Sequence, residues 1–545
     1  MHRRGFRIAS HGHGQVYDDG LGRSAISRWV ALAALVGLLT VAGCTNAPSV
    51  EVPEGGGESS SDGTGQSPTS QGDADPPEGA DAPEGLEEFY GQEVEWSDCE
   101  GGECGRLVVP IDYDNPDDGS IELELLRVPA GGERQGSLLV NPGGPGASGV
   151  EYARLGTLVV SPSVADAYDL VGFDPRGVAG SAPITCFDDA QMDEWLGADP
   201  SPDTAEEETA SEELGQDFAE ACEEAAPDLL GHVSTVEAAR DMDVLRAVLG
   251  DPEMNYLGAS YGTFLGATYA ELFPERVGRM VLDGAVAPEL TSIELSLGQA
   301  GGFEQATRAY VQSCIDEGDC PLGNTVDEGM ASITTFLDDV DADPVAVDGD
   351  ANTELTEGWA LLGIIVAMYD QAAWPILTQA MDRALNGDGS TLQYLANIYA
   401  DRDAEGNYTG NGNQAIYAVN CLDRPGEDGD VSEEEMIAQF EEVAPTFGRY
   451  LAGDGACAYW PEEASETLDN YDAAGAAPIL VIGTTGDPAT PYEWAEELAD
   501  TLDSGVLLSY DGEGHTAYGR SNDCIDDAVD AYLLEGTVPS DGKEC

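Results

Sequence analysis

The chain has 545 residues, of which 105 are aspartate or glutamate and 21 are lysine or arginine, so its formal net charge is −84. This charge excludes a nucleic-acid-binding protein that works through a basic surface, because phosphates would be repelled. It also disfavours electrostatic docking on anionic lipid. Hydrophobic residues make up 42% of the chain, which is enough for a sizeable core and excludes wholesale disorder.

The first 43 residues have the pattern of an export signal. Five arginines and two aspartates are accompanied by an uncharged run of 15 residues, 29–43, which is shorter than the about 20 residues of a membrane-spanning helix and typical of a signal peptide. The run ends at Cys44 in a sequence that resembles the bacterial lipobox. We therefore predict a lipoprotein signal peptide at 1–43 and a lipid anchor, such as palmitate, on Cys44. An ordinary secretory signal and a twin-arginine signal are the alternatives.

The next segment has a different composition. Residues 44–88 are rich in Ser, Gly, Pro, Asp and Glu and contain almost no large apolar side chains, which predicts a flexible tether. Beyond it, short apolar runs alternate with helical patterns, as in an α/β layered fold. The runs predicted as strands are 106–111, 121–128, 137–141, 168–174, 254–258, 279–283, 478–483 and 505–510.

A long segment of different composition lies between the predicted strands at 279–283 and 478–483. Helical patterns at 359–369, 372–385 and 433–440 predict a mainly helical insertion over 288–471, which we interpret as a lid. The two parts of the core are then 89–287 and 472–545. The predicted fold class is α/β, with the large helical lid inserted between core strands.

The cysteines are consistent with an oxidising compartment. Eleven cysteines include Cys44, and the other ten are an even number, as in a disulfide framework. Close neighbours suggest five pairs, although the sequence alone leaves the connectivity open: Cys99–Cys104, Cys186–Cys222, Cys314–Cys320, Cys421–Cys457 and Cys524–Cys545. The sequence has no CxxC pair or histidine cluster, so we predict no metal site.

The motif Gly258-Ala259-Ser260-Tyr261-Gly262 carries the sharpest chemical signal. It is a G-x-S-x-G pattern between a predicted strand and a helical pattern at 263–272. A tight turn between strand and helix exposes a serine nucleophile, and glycines permit the close approach of the backbone. The N-terminal end of the following helix favours negative charge that develops at the serine. We predict Ser260 as a nucleophile.

A serine nucleophile needs a base, and only His232 and His515 lie outside the leader. In α/β-hydrolases the nucleophile, the acid and the base follow in that order along the chain, which only His515 satisfies. Asp487 follows the predicted strand at 478–483 and is the predicted acid, which holds the imidazole tautomer and stabilises the imidazolium. We interpret His232 as a surface or capping residue.

An oxyanion hole needs two backbone N–H groups that point at the tetrahedral intermediate. Tyr261, directly after the serine, is predicted to supply one of them. The other is predicted in the loop Asn141–Gly146, whose glycines let the backbone approach a substrate carbonyl. Gly144 is favoured, and Gly143 is the alternative.

Six short segments, taken together and in this order, resemble one known family. The family is the tripeptidyl aminopeptidase branch of the prolyl-aminopeptidase-type α/β-hydrolases, secreted actinobacterial serine peptidases that include lipid-anchored mycobacterial envelope peptidases. The segments are NPGGPGASG from Asn141, GFDPRGVAGS from Gly172, GASYGT from Gly258, MVLDG from Met280, DPATPY from Asp487 and GEGH from Gly512. The resemblance extends from about Arg106 to Cys545 and implies the same triad of Ser260, Asp487 and His515.

The resemblance also implies a substrate. Members of the family cleave short peptides, tripeptides among them, from free N-termini, and carboxylates of the lid bind the α-ammonium group. Asp423 is the candidate for that carboxylate. Thr490, in the family motif, is expected to shape the acid loop, and Asp174 and Arg176 are interpreted as a structural ion pair. The resemblance implies no metal or organic cofactor.

We therefore predict a monomeric, lipid-anchored serine aminopeptidase at the outer face of the cytoplasmic membrane, or secreted, that acts through an acyl-enzyme. An esterase or endopeptidase with the same triad is the nearest alternative, because fold and triad do not fix the substrate. A non-catalytic, lipid-anchored solute-binding protein would have the same leader and tether, and it predicts no labelling of Ser260 by active-serine reagents. The acidic composition suggests a saline habitat, where salt screens self-repulsion.

Overall fold

The computed structural model describes residues 82–425, 433–453 and 455–545. The predicted signal peptide, Cys44 and the predicted tether up to residue 81 lie outside these residues. Within the described ranges, no helix combines the length and the apolar character that are needed to cross a membrane. The tether was predicted to reach residue 88, but Leu86 is already buried in the core and the first helix begins at Glu87.

A sheet of ten strands forms the centre of the molecule. In spatial order it runs β1-β2-β3-β5-β4-β6-β7-β10-β11-β12, with the first three pairs antiparallel and the others parallel. The strands are β1 (Ser97–Cys99), β2 (Gly102–Pro110), β3 (Ser120–Val128), β4 (Gly136–Asn141), β5 (Tyr168–Phe173), β6 (Met254–Ala259), β7 (Val277–Asp283), β8 (Val345–Ala346), β9 (Glu354–Leu355), β10 (Ile479–Gly486), β11 (Gly505–Glu513) and β12 (Lys543–Glu544). The short β8 and β9 form a separate antiparallel pair.

The apolar composition of the central strands follows from their place in the sheet. Every residue of β4 and β5 is buried, because helices cover both faces of a parallel sheet. The helices are α1 (Glu87–Tyr90), α2 (Gly149–Arg154), α3 (Pro162–Ala167), α4 (Asp189–Leu196), α5 (Ala205–Ala225), α6 (Thr235–Leu249), α7 (Tyr261–Leu272), α8 (Ser292–Glu317), α9 (Val326–Ala342), α10 (Glu357–Ile365), α11 (Trp374–Leu385), α12 (Ser390–Ala400), α13 (Gly412–Asp423), α14 (Glu433–Val443), α15 (Gly448–Leu451), α16 (Tyr492–Thr501) and α17 (Asp523–Glu535).

Helices α8 to α15 lie between β7 and β10, where the sequence analysis places the insertion. They surround an apolar core of their own, which includes Tyr310, Ile333, Trp359 and Leu377. A second helical segment, α4 and α5, lies between β5 and β6 and was not predicted. It packs against the insertion, where the rings of Phe218 and Tyr417 lie 5.4 Å apart.

Five disulfides join the cysteines of the described residues. They are Cys99–Cys104, Cys186–Cys222, Cys314–Cys320, Cys421–Cys457 and Cys524–Cys545, which are the five pairs that spacing suggests. Cys421–Cys457 ties the end of α13 to the segment that leads back toward the sheet.

The DPRG turn differs from its interpretation as an Asp174–Arg176 ion pair. Arg176 is fully buried and instead pairs with Asp241, at 2.6 Å, and with Glu237, at 3.3 Å, both on α6. Asp174 points the other way and accepts from the hydroxyl of Ser148 at 2.5 Å. Asp174 also accepts from the N–H of Val150 in the first turn of α2, whereas Arg176 donates to carboxylates of α6. His232 Nδ1 lies 2.9 Å from Glu237 in the same buried network.

Candidate active site

Ser260 lies in the tight turn between β6 and α7. Its backbone has φ 57° and ψ −128°, a conformation that is uncommon for residues other than glycine and costs roughly 1–3 kcal/mol. Two hydrogen bonds hold the turn. The Ser260 N–H donates to the Asp283 carbonyl at 2.9 Å, and the Thr263 hydroxyl donates to the Ser260 carbonyl at 2.6 Å. The half-buried serine is thus fixed at the carboxyl end of the parallel strands.

Asp487 and His515 lie in the loops that follow β10 and β11, which are adjacent strands. His515 Nδ1 is 2.9 Å from each carboxylate oxygen of Asp487. The buried carboxylate also accepts from the N–H groups of Ala489 at 3.0 Å, Thr490 at 2.9 Å and Thr516 at 3.3 Å. These donors fix the carboxylate, which in turn orients the imidazole through Nδ1.

The other imidazole nitrogen is unused. His515 Nε2 is buried and has no hydrogen-bond partner among the residues that the structure describes. The end of β7 joins this ring to the serine turn, because Asp283 accepts from Ser260 and the next residue, Gly284, packs on the imidazole. A Cβ atom at Gly284 would lie 3.1 Å from His515 Cε1. Nε2 therefore makes no hydrogen bond to Ser260 in the structure, and this imidazole nitrogen remains available to accept a proton.

Asp283 is a site residue that the sequence analysis missed. Its carboxylate accepts from the N–H groups of Ala517, at 3.0 Å, and Tyr518, at 2.8 Å, so it anchors the loop that carries His515. Burial raises the pKa of Asp283 to about 6. Its membership in the MVLDG segment was the one signal that could have drawn attention to it.

The loop after β4 passes directly over the serine turn. A Cβ atom at Gly143, which has φ +94°, would lie 2.5 Å from the Ala259 carbonyl and 2.9 Å from Ser260 Cβ, so only glycine fits there. The Gly143 N–H donates to Asn141 Oδ1 at 2.9 Å. In contrast, the N–H groups of Gly144 and Tyr261 have no acceptor among the described residues. The geometry therefore offers these two donors rather than Gly143.

The helical insertion supplies one wall of the site. The ring of Tyr369 lies 5.4 Å from the His515 ring, and its carbonyl accepts from the His515 N–H at 3.0 Å. Tyr399 follows at 6.5 Å from Tyr369. The start of α13 touches the loop over the serine, because a Cβ atom at Gly146 would lie 2.6 Å from the Gly412 carbonyl.

Asp423, the carboxylate expected to bind an ammonium group, is already occupied. Its Oδ1 accepts from the N–H of Thr235 at 2.8 Å, and its Oδ2 accepts from the Thr235 hydroxyl at 2.6 Å. The same hydroxyl contacts the hydroxyl of Tyr261. Burial raises the pKa of Asp423 to about 6. These contacts show Asp423 closing the first turn of α6.

Asp401, at the end of α12, differs from Asp423 because one of its carboxylate oxygens is unpaired. Its Oδ1 is buried and has no hydrogen-bond partner in the described part of the chain, and burial raises the pKa of the carboxyl to about 8. The preceding Ala400 carbonyl accepts from Asn413 at 2.7 Å, beside the residue that touches Gly146. Asp401 thus follows Tyr399 in the segment that borders the serine loop.

Comparison with known proteins agrees with this fold. A family model described as alpha/beta hydrolase fold matches residues 136–326, and one described as TAP-like protein matches residues 444–545. The serine protease Hip1 of Mycobacterium tuberculosis is 41% identical over 486 residues, which cover 84% of this chain and 92% of that protein.

Two further relatives have different names. The tripeptidyl aminopeptidase of Streptomyces lividans is 34% identical and covers 83% of this chain and 86% of its own length. Carboxylesterase B of M. tuberculosis is 35% identical and covers 82% of this chain and 87% of its own length. The predicted fold and family are confirmed. The chain therefore belongs to the tripeptidyl aminopeptidase-like serine peptidases of the α/β-hydrolase family, and it is a serine hydrolase.

Proposed function

We propose that this serine peptidase releases short peptides, in particular tripeptides, from free N-termini, with Ser260 as nucleophile, His515 as base and Asp487 as acid. The observation that carries the proposal is the His515 ring, held at Nδ1 by Asp487 and without a partner at Nε2, beside the Ser260 turn. A serine needs such an imidazole, oriented through Nδ1 and available at Nε2, as its base in order to become a nucleophile near neutral pH.

The reaction follows from these positions. Ser260 Oγ attacks the scissile carbonyl while His515 Nε2 takes its proton, and the imidazolium then gives that proton to the leaving amine. A water molecule, deprotonated by His515, hydrolyses the resulting acyl-enzyme and restores the serine. The N–H groups of Tyr261 and Gly144 would receive the oxyanion in both halves, where one such donor lowers the barrier by about 3 kcal/mol.

The free N-terminus needs a carboxylate, and we assign this role to Asp401 rather than Asp423. Both oxygens of Asp423 are engaged by Thr235, whereas Asp401 keeps an unpaired, buried oxygen in the insertion. An ammonium group would pair with that oxygen and favour the ionised carboxylate. The distance between the bound ammonium group and Ser260 would set the length of the released peptide, and three extended residues span about 10 Å.

A tripeptide chromogenic anilide, offered with a free and with an acetylated N-terminus, tests the proposal. We expect cleavage of the free peptide, little cleavage of the acetylated one, and no activity in Ser260→Ala. Equal cleavage of both anilides would identify an endopeptidase. The name of the relative carboxylesterase B makes a simple p-nitrophenyl ester the third substrate, and hydrolysis of the ester alone would replace the peptidase proposal with an esterase.

The same pair of anilides tests Asp401. Asp401→Asn should lower kcat/KM for the free peptide by about tenfold to a hundredfold, through the loss of one charge-assisted hydrogen bond, and should leave the slow cleavage of the acetylated peptide unchanged. Glu405→Gln is the matched control, because Glu405 is an exposed acid in the loop that follows Asp401. Equal losses on both substrates would show that Asp401 supports the structure and does not bind the amine.

We also propose that the mature chain is exported and held at the outer face of the membrane by lipid on Cys44. The five disulfides support an oxidising compartment, and the sequence before Cys44 supports the lipid. Fractionation of the native producer, with Cys44→Ala as the control, tests this. The wild-type protein should sediment with membranes and carry a lipid mass at its N-terminus, and a soluble, unlipidated wild-type protein would refute the anchor.

A further inference from the structure

A cavity of about 360 Å³ lies beside the site, and neither Ser260 nor His515 lines it. Its walls come from the first turns of α6 and α7, the loop after β7, the end of α13 and the segment that precedes β10. Thr235, which lines this cavity, contacts the hydroxyl of Tyr261. The cavity is therefore separate from the triad but adjoins the residue whose N–H is proposed to bind the oxyanion.

Among the described residues that line this cavity, Arg424 is the only basic one. Its side chain is buried, with 8% of the residue exposed, and its guanidinium lies 4.3 Å from the centre of the Phe264 ring. The Nε donates to the Leu290 carbonyl at 3.0 Å, but Nη2 has no acceptor among the described residues. The charge of the neighbouring Asp423 acts on Arg424, but its carboxylate makes no hydrogen bond to Nη2.

The unpaired Nη2 of Arg424 is a charged donor that an anionic group could satisfy. A buried donor without a partner costs about 1–3 kcal/mol, and burial already lowers the pKa of Arg424, so a carboxylate that reaches Nη2 would be favoured. The other charged residues that line the cavity oppose a simple anion, because Glu289, Asp423, Glu466 and Asp469 are acidic. Glu466 is paired with Arg240. Glu289 and Asp469 are exposed, at the rim.

The cavity thus combines one buried cationic donor with carboxylates at its rim. A simple anion would be repelled by the carboxylates, and a simple cation would leave the buried Nη2 of Arg424 without an acceptor. We propose that the cavity is a second binding site, for a short peptide with both termini free, whose carboxylate binds Arg424 and whose ammonium group faces the exposed Glu289 and Asp469. Such a peptide of two or three residues is about 7–10 Å long. This site goes beyond the proposed function and does not depend on it.

Calorimetric titration of the Ser260→Ala protein tests the site without turnover. The ligands are tri-alanine and tri-alaninamide, which differ only in the terminal carboxylate. We expect tri-alanine to bind at least about tenfold more tightly than the amide, which corresponds to about 1.4 kcal/mol. In the double variant Ser260→Ala with Arg424→Gln, this difference in affinity should disappear, because the guanidinium that binds the carboxylate has been removed. Arg308→Gln, in an exposed ion pair with Asp327, is the control.

Two results would overturn the proposal. If tri-alanine still binds more tightly than tri-alaninamide by the same factor after Arg424→Gln, the carboxylate binds elsewhere, such as at the serine site. If tri-alanine does not bind the folded Ser260→Ala protein, there is no such site. Should Arg424→Gln fail to fold, Asp469→Asn carries the test at an exposed position. It should weaken tri-alanine and leave N-acetyl-tri-alanine unchanged, and an equal effect on both ligands would refute the ammonium subsite.

Discussion

The hydrogen bonds to Asp487 show how a carboxylate can position a base. Three backbone N–H groups and the His515 Nδ1 converge on it. Asp487→Asn keeps the size of the side chain but places a donor amide against these donors, so the imidazole would adopt the wrong tautomer. We expect kcat to fall by about 10³- to 10⁴-fold, with a small change in KM. Anilide kinetics and a thermal melt measure this, and near-normal kcat in a folded variant would exclude Asp487 as the triad acid.

A substitution at Gly143 tests the role of the loop that passes over Ser260. A methyl group there would meet the Ala259 carbonyl at 2.5 Å, and the positive φ adds strain. Gly143→Ala should therefore displace the adjacent Gly144 donor and lower kcat by at least about a hundredfold. Gly250→Ala is the control, because Gly250 also has a positive φ, of +77°, but its Cβ would meet no atom within 4 Å.

The control separates strain from steric displacement. Gly250→Ala should lose about 1–2 kcal/mol of stability, from the left-handed backbone alone, and retain its kcat. If both variants lose activity in proportion to their loss of stability, the effect of Gly143→Ala is one of folding and not of the oxyanion donor.

At the scale of elements, Glu357 joins the helical insertion to the segment before α5. It lies in the first turn of α10, is buried, and accepts from the hydroxyls of Ser201 and Tyr450, each at 2.9 Å. Burial raises the pKa of Glu357 to about 7, from an ordinary value of 4.5. The folded state therefore binds one more proton than the unfolded state between these pH values, and this group stabilises the fold less as the pH rises through them.

Glu357→Gln removes that titration and keeps an oxygen acceptor. The stability of the variant relative to the wild type should therefore rise between pH 5 and pH 8, by up to about 2–3 kcal/mol. Denaturant unfolding at both pH values measures this difference. The exposed Glu354→Gln, on β9, should show no such trend. A relative stability that falls with pH would mean that Glu357 is ionised and held by Arg449, which lies 3.5 Å away.

The sequence predicts the elements well where a local pattern decides them. The apolar runs place all the central strands, and the turn at Ser260 follows from glycine spacing between a strand and a helix. The short strands β1 and β12 were missed because they depend on neighbours: β1 pairs with β2 across a hairpin that the Cys99–Cys104 disulfide closes, and β12 lies beside β11. No periodicity marks such edges.

Contacts between distant segments account for the other differences. Asp283 holds a loop more than two hundred residues later in the chain, and Asp423 was expected to face substrate but closes α6. In a chain with 105 acidic residues, no local pattern distinguishes a carboxylate with an unpaired oxygen, such as Asp401, from a hydrogen-bonded one. That distinction depends on which donors the fold brings within reach, and it needs the structure.

At the scale of the whole molecule, the charge predicts how stability depends on salt. Even if every lysine and arginine were paired with one acid, 84 carboxylates would have no basic partner. Like-charge repulsion is visible locally: burial, and then the nearby Asp199, Glu207 and Asp203, raise the pKa of Asp341. Folding brings these charges closer together, so their repulsion opposes the compact state.

Salt should weaken this repulsion, because the screening length falls from about 10 Å at 0.1 M to about 3 Å at 1 M. We expect Tm to rise by at least about 5 °C between 0.1 M and 1 M NaCl, which for a chain of this size corresponds to a gain of about 5 kcal/mol. Sucrose is the control, because it stabilises compact states by exclusion from the surface and does not screen charge. A Tm that rises in sucrose but is flat in NaCl would show that the acidic surface is spaced widely enough to need no screening. A rise with NaCl at pH 7 that vanishes at pH 4, where many of the carboxylates are protonated, would tie the effect to their charge.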